Sequence, residues 1–242
     1  MLEHEAKRKN IAFLLHSLTH LAHILAFSHT HTHTHSLTHI RLTHTYIHTG
    51  TDALRLALLL QGERPHLDAS EVLQCRHFCN KLWQASRFTT LLRERAGDFI
   101  QNNDDDNNNT EKSLLQRWIH SRLAYVVDEV NDSLNAYDAA RAAHTLRTFI
   151  QNEFCSVFIE FAKPTQYKES CDLAGNLNVT SQVASQVLDC SLKLLHPFMP
   201  YVTEALYEHT SVDVEKEESI MLTHFPKQSS MMRDTKAEQD MT

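Results

Sequence analysis

The segment from Ser70 to Arg95, SEVLQCRHFCNKLWQASRFTTLLRER, leaves little freedom in what this chain can fold into. At roughly 100° of turn per residue, Cys75, Phe78, Cys79, Leu82, Ala85, Ser86 and Thr89 fall on one side of a single long helix, the spacing of a core-facing stripe. Beside that stripe Arg76, Asn80, Trp83 and Arg87 follow one another at steps of four, three and four. The ridge they form interleaves an indole with two guanidinium groups and an amide. It has two readings. Arginines pair with phosphates and an indole offers a stacking platform for an unpaired base, which suits nucleic acid. A solvated rim with Trp83 lapping over the core edge has the same pattern.

Glycine sets the fold class. Four glycines in 242 residues is far below the usual share of about 7%, too few for the turns of a β-sandwich or the phosphate loops of a nucleotide-binding α/β fold. With 42% hydrophobic residues the chain still supports a core, so an all-α architecture is expected. Five cysteines, an odd number, predict reduced thiols rather than a disulfide framework or zinc site, which points to the cytoplasm or, alternatively, the mitochondrial matrix. A net charge of -7 argues against a general polyanion binder, so any contact with nucleic acid has to come from a local basic ridge. No DNA or membrane partner is expected.

Residues 1–49 differ in kind from the rest. Eleven of the 18 histidines lie there, and His29 to His35 alternate strictly with threonine. Such a tract can attract metal ions, but a defined site needs oriented ligands and a supporting shell. The alternation is also what a CA dinucleotide repeat encodes, so 1–49 is expected to be a low-complexity segment without structure, of the kind an erroneous gene model produces. The apolar run from Ile11 to Phe27 is interrupted by His16, His20 and His23 and makes a poor membrane span.

Helical periodicity resumes at Gly50. Thr51 and Asp52 are good caps for Ala53 to Leu60, and Ser70 or Asp68 caps the central helix. The polar run Gln101 to Asn109 reads as a solvent loop. A helix follows from about Ser113 to Asn135, and Asp138 can cap a continuous successor from Ala139 to Ala162, whose apolar positions run through Phe149, Phe154, Phe158 and Phe161. Gly175 and its neighbouring asparagines read as a loop, before a helix from Thr180 to Leu195 and a short one through His209. Four long antiparallel helices with polar connections make a bundle over 50–227, with 228–242 expected to be a disordered tail.

No phosphate-binding glycine loop, nucleophile elbow or HExxH pair occurs. Asp128 and Glu129 fit a charged helix face, Cys155 fits a small buried hydrophobe beside Glu153, and His196 before Pro197 fits a partner for terminal carbonyls. None of these makes a catalytic or metal site.

Phe78-Cys79-Asn80-Lys81-Leu82-Trp83, continuing to Arg87-Phe88, resembles the FCNKLWNAxRF signature of valyl-tRNA synthetases, with Gln84 where that family has asparagine. Further blocks follow in the family's order: Gly50 to Arg55, Arg117-Trp118-Ile119 with Ser121-Arg122-Leu123, Asn152 to Cys155, and Leu195 to Glu204. The resemblance implies the helical anticodon-binding domain of a class Ia enzyme that attaches valine to its tRNA. ATP and magnesium are implied for the parent enzyme, with no cofactor in this chain. Valine tRNA, through its anticodon loop, becomes the implied partner, and Arg76, Asn80, Lys81, Trp83 and Arg87 the implied contacts. The family's HIGH and KMSKS motifs have no counterpart here, and a stand-alone helical interaction protein remains the alternative.

Two outcomes are expected. The purified chain should support no valine-dependent exchange of pyrophosphate into ATP, because it supplies no phosphate-binding or charge-stabilising groups; exchange above background refutes this. Removing residues 1–49 should leave the melting temperature of the remainder unchanged, whereas a large fall would show that the segment packs on the bundle.

Overall fold

The structure, a computed structural model, describes residues 50–61, 67–102, 113–163, 174–210, 218–227 and 233–241. The elements are α1 (Thr51–Gln61), α2 (Ala69–Asn102), α3 (Leu114–Asn135), α4 (Ala139–Thr148), a π-helical segment (Phe149–Phe158) running into α5 (Ile159–Ala162), α6 (Ala174–Leu195), α7 (Pro200–Thr210), a 3-10 turn (Ile220–Leu222) and α8 (Thr235–Asp240). This is the expected all-α helix bundle. The reading of 1–49, and that of the polar run beyond Asn102, fall outside the described residues.

The long helix α2 is the spine. It packs against α1, α6, α7 and the π segment, and all seven residues of its predicted stripe are buried. Fully buried Leu82, Phe149, Phe154, Phe158 and Phe198 form much of the interior around it. Each such side chain taken from water contributes roughly 1.5–3 kcal/mol. The two polar members of the stripe do not break the pattern, because helical hydroxyls can be satisfied locally: Thr89 Oγ1 donates to the Ala85 carbonyl at 2.9 Å.

Most helix starts follow their sequence signals. Asp68 caps α2, its Oδ1 accepting from Ser70 N–H at 3.2 Å. Ser113 and Gln116 form a reciprocal capping box at α3, with bonds of 3.4 and 2.8 Å. Asp138 caps α4 through Arg141 N–H at 2.9 Å, and Pro200 occupies the first position of α7, where a missing N–H costs nothing.

Four expectations are corrected. Asp52 does not cap its own helix: its Oδ2 accepts from Val202 N–H at 2.6 Å, in the first turn of α7. Three residues on, Arg55 donates to the carbonyls of Phe198 and Pro197 at 3.4 and 3.5 Å, at the end of α6. An acid thus meets a helix N-terminus and a base the adjoining C-terminus, matching both macrodipoles. Second, Gly175, Asn176 and Asn178 belong to α6, since poor helix formers are tolerated where packing farther along carries the helix. Third, the helix after Asp138 is not uniformly α. Its π stretch shifts the register, leaving Phe161 65% exposed while Phe154, Cys155, Phe158 and Ile159 are buried. Fourth, Thr235–Asp240 form a helix where a tail is expected, tied to α3 by the Arg117–Asp234 pair at 2.6 Å.

Burial raises the Asp52 pKa above the usual carboxylate range, against the pull of the Val202 and Tyr201 amides and of Arg55. The folded state therefore holds the proton more tightly than the unfolded one. Stability from this group is fullest below the unfolded pKa and falls as pH rises through the folded value. Asp52→Ala should lower stability by about 0.5–2 kcal/mol, and Asp52→Asn by less, because it keeps an acceptor without the buried charge. Denaturant titrations from pH 3 to 7 should show the parent losing ground to Asp52→Asn as pH rises; the opposite trend would refute the assignment.

Candidate nucleic-acid interface

Because the stripe of α2 faces the core, its ridge faces outward: Arg76, Asn80, Trp83 and Arg87 are all exposed. Trp83 keeps 40% of its surface accessible. Its inner edge meets α7, where the indole and the His209 imidazole stand edge to face with ring centres 6.5 Å apart and an interplanar angle of 81°. Between the two helices opens a groove of about 430 Å³, lined by Trp83, Ser86, Arg87, Thr90, Leu91 and Glu94 of α2 and by Leu206 and His209 of α7. Arg93 fixes the groove's far end by donating to the Thr210 carbonyl at 2.8 Å, a cation at a helix C-terminus.

The charges on this surface are not equivalent to those elsewhere. Arg55 and Arg93 are bound to main-chain carbonyls, and Arg147 to Gln74. Arg117, Arg122, Arg141 and Arg233 are paired with carboxylates, and Arg95 also has a partner. Arg76 and Arg87 alone among the described arginines make no hydrogen bond or ion pair with described residues. Both therefore keep the full donor set that a guanidinium offers to a phosphate. Arg76 lies over the entry to α1: Gly50 has a φ of 86°, and a Cβ there would stand 3.5 Å from Arg76 Nη1. The positive φ, rather than the contact, is what calls for glycine.

Lys81 is placed apart from the other four. Five residues after Arg76, it points roughly 140° around the helix from the ridge. Its Nζ donates to the Gln151 carbonyl and to Ser156 Oγ, both at 3.1 Å. Several other titratable groups are tied into the fold. Arg122 grips Glu153 with bonds of 2.7 and 2.9 Å, and that carboxylate raises the arginine's pKa. Burial pushes the Cys75 and Cys155 thiols up to about 11 and those of Cys79 and Cys190 to about 12, far from nucleophilic at neutral pH. Burial also lowers the His196 pKa, and its Nδ1 shares a 2.8 Å bond with Thr203 Oγ1 rather than the terminal carbonyls expected of it.

Among the described residues there is no group of three metal-ligating side chains, and no helix is long and apolar enough to cross a membrane. Sequence reasoning missed Leu206, His209 and Glu94. The first two reach Trp83 only through tertiary packing of helices far apart in the chain, and Glu94 sits two turns beyond the signature that draws attention to the ridge.

Comparison with known proteins fits this picture. The family profile described as "Anticodon-binding domain of tRNA ligase" matches residues 116–242, just over half of the chain. The chain is 35% identical over 197 residues to a valine–tRNA ligase of Clostridium perfringens, covering 80% of this chain and 21% of that protein. Against the valine–tRNA ligase of Homo sapiens the identity is 36% over 198 residues, covering 78% and 15%. The chain thus spans only about a fifth or less of these relatives' length. A similar fold occurs in a solved ternary complex, LeuRS-tRNA-LeuAMS of Agrobacterium radiobacter K84, with a TM-score of 0.51, 14% identity, and coverage of 77% of this chain and 20% of that one. The bundle, the ordered sequence blocks and the profile match agree, and the chain belongs to the anticodon-binding domain family of tRNA ligases.

Proposed function

We propose that this domain binds the anticodon end of a tRNA through the α2 ridge, and that the tRNA is valine tRNA. The whole protein would then be a ligase joining valine to that tRNA with ATP and magnesium, acting in the cytoplasm. The observation that carries the reading is the pairing of the two uncommitted arginines with a half-exposed tryptophan beside a groove. Unpaired anticodon bases would stack on Trp83, Arg76 and Arg87 would hold phosphates, and Asn80 would offer both a donor and an acceptor to a base edge. Relatives named valine–tRNA ligase support the choice of amino acid. Affinity should be modest, because an anticodon contact is one part of a large tRNA surface.

Titration of the purified chain with valine tRNA at several salt concentrations tests this. Binding should weaken with salt, by a log-log slope of about -0.7 per phosphate neutralised in a single-stranded loop. Trp83→Ala should lose about 1–3 kcal/mol of binding with the slope unchanged. Arg87→Ala should lose affinity and about 0.7 of the slope together. Since Trp83 borders the core, circular dichroism must first show that the variant is folded. If both folded variants bind like the parent, the ridge is an ordinary solvated face. If the parent binds no tRNA, the chain is a helical interaction protein of another kind.

A further inference from the structure

The ridge accounts for one face of α2, and Lys81, on another face of the same helix, is tied to the π segment instead. Lys81 Nζ, Ser156 Oγ and the Gln151 carbonyl form a closed triangle: the ammonium donates to both oxygens at 3.1 Å, and the Ser156 hydroxyl donates to the same carbonyl at 2.7 Å. Gln151 is the third residue of the π segment. In an α-helix that carbonyl would accept from the N–H four residues on. A carbonyl drawn outward by an ammonium and a hydroxyl tilts off the helix axis, and the ladder relaxes toward the fifth residue.

The register shift has consequences on both sides of the segment. It presents Glu153 to Arg122 of α3 for the two-bond pair, and it turns Phe161 out to solvent. The π segment is thus held between Lys81 of α2 and Arg122 of α3. Lys81 also lies close enough to buried Cys155 for its charge to oppose the upward push of burial on that thiol. Two residues farther along α2 comes Trp83.

We propose that Lys81 is a positioning residue: by pinning α2 to the Gln151 carbonyl and the Ser156 hydroxyl it holds the π segment and fixes the rotation of α2 that aims the ridge, and it is not a phosphate ligand. The part concerning the ridge rests on the tRNA reading above. An ammonium that left this triangle for a phosphate would leave the Gln151 carbonyl to the Ser156 hydroxyl, without its charged partner. It would also have to reach around the helix by more than a third of a turn.

Hydrogen exchange read by mass spectrometry on the full chain, combined with valine tRNA titrations across salt, separates the two roles. Lys81→Met keeps the aliphatic stem without the donors. It should accelerate amide exchange across residues 151–158 by roughly tenfold, the size expected for losing charged hydrogen bonds. It should weaken tRNA binding several-fold with the salt slope unchanged. Ser156→Ala, at an exposed position, should accelerate exchange in the same stretch to a smaller extent, and it decides the matter if Lys81→Met does not fold. Unchanged exchange in the variants overturns the clamp. Faster exchange with unchanged affinity overturns the positioning role, and a slope shallower by about 0.7 identifies Lys81 as a phosphate ligand instead. If the parent binds no tRNA the functional reading fails, and the exchange measurements judge the clamp by themselves.

Discussion

Asp52 and Arg55, one turn apart on α1, close the two helix ends that meet at the corner between α6 and α7. Their partners are about 150 residues away in sequence, so this contact joins the start of the described domain to its last long helices. Much else follows from it. With the corner fixed, His196 and Thr203 bond across it, and Glu204 on the next turn of α7 receives Ser219 Oγ and the Ile220 N–H, bringing the 3-10 turn into place. The same placement of α7 sets Leu206 and His209 against α2, so the groove beside Trp83 inherits its far wall from a hydrogen bond made by Asp52.

The arginines of this domain divide by what they touch. Those on α1, α3, α4 and the approach to α8 are cross-ties, each satisfying a carbonyl or a carboxylate of another element. These pairs are partly exposed, so each contributes modestly and its value lies in joining two elements. Against that background two uncommitted guanidinium groups on one ridge stand out more than their number suggests. From Arg76 to Arg87 the ridge carries one sign of charge, its uncharged members being an amide and an indole, and the acid Glu94 comes two turns farther along the same helix.

Periodicity alone makes the bundle legible: the stripe on α2 is buried at every predicted position, Asp68, one of the two caps open to α2, takes that role, and Asp138 caps the helix expected of it. What local reasoning could not reach was long-range. Nothing near Asp52 says that its carboxylate serves a helix 150 residues on, and a good capping residue placed at a helix start looks local by default. The π register escaped for a related reason. Its segment is gripped by an ammonium on another helix, a contact that the local sequence, reading as continuous α, does not show. The ridge was visible as a pattern, the groove beside it was not, and Lys81 shared a motif with the ridge without sharing its face.

The attachment of α8 differs in kind from everything else in the domain. Ala237 is its one buried residue, while Asp234 accepts from Arg117, and Glu238 accepts from Ser121 and Arg233 with Arg122 3.8 Å away. Tyr125 lies against the guanidinium groups of both Arg122 and Arg233, each 4.9 Å from the ring centre. Arg233 foremost, then Ser121 and Arg122, hold the Glu238 carboxyl down at about 2 against its ordinary 4.5. That stabilisation is complete above the ordinary value and is lost as the medium is acidified toward 2. Ionic strength erodes exposed pairs of this kind in the same direction, while it leaves apolar burial untouched. The domain therefore carries two adhesives: an oily one that sets the bundle, and a briny one at its margin that solvent conditions alone can loosen.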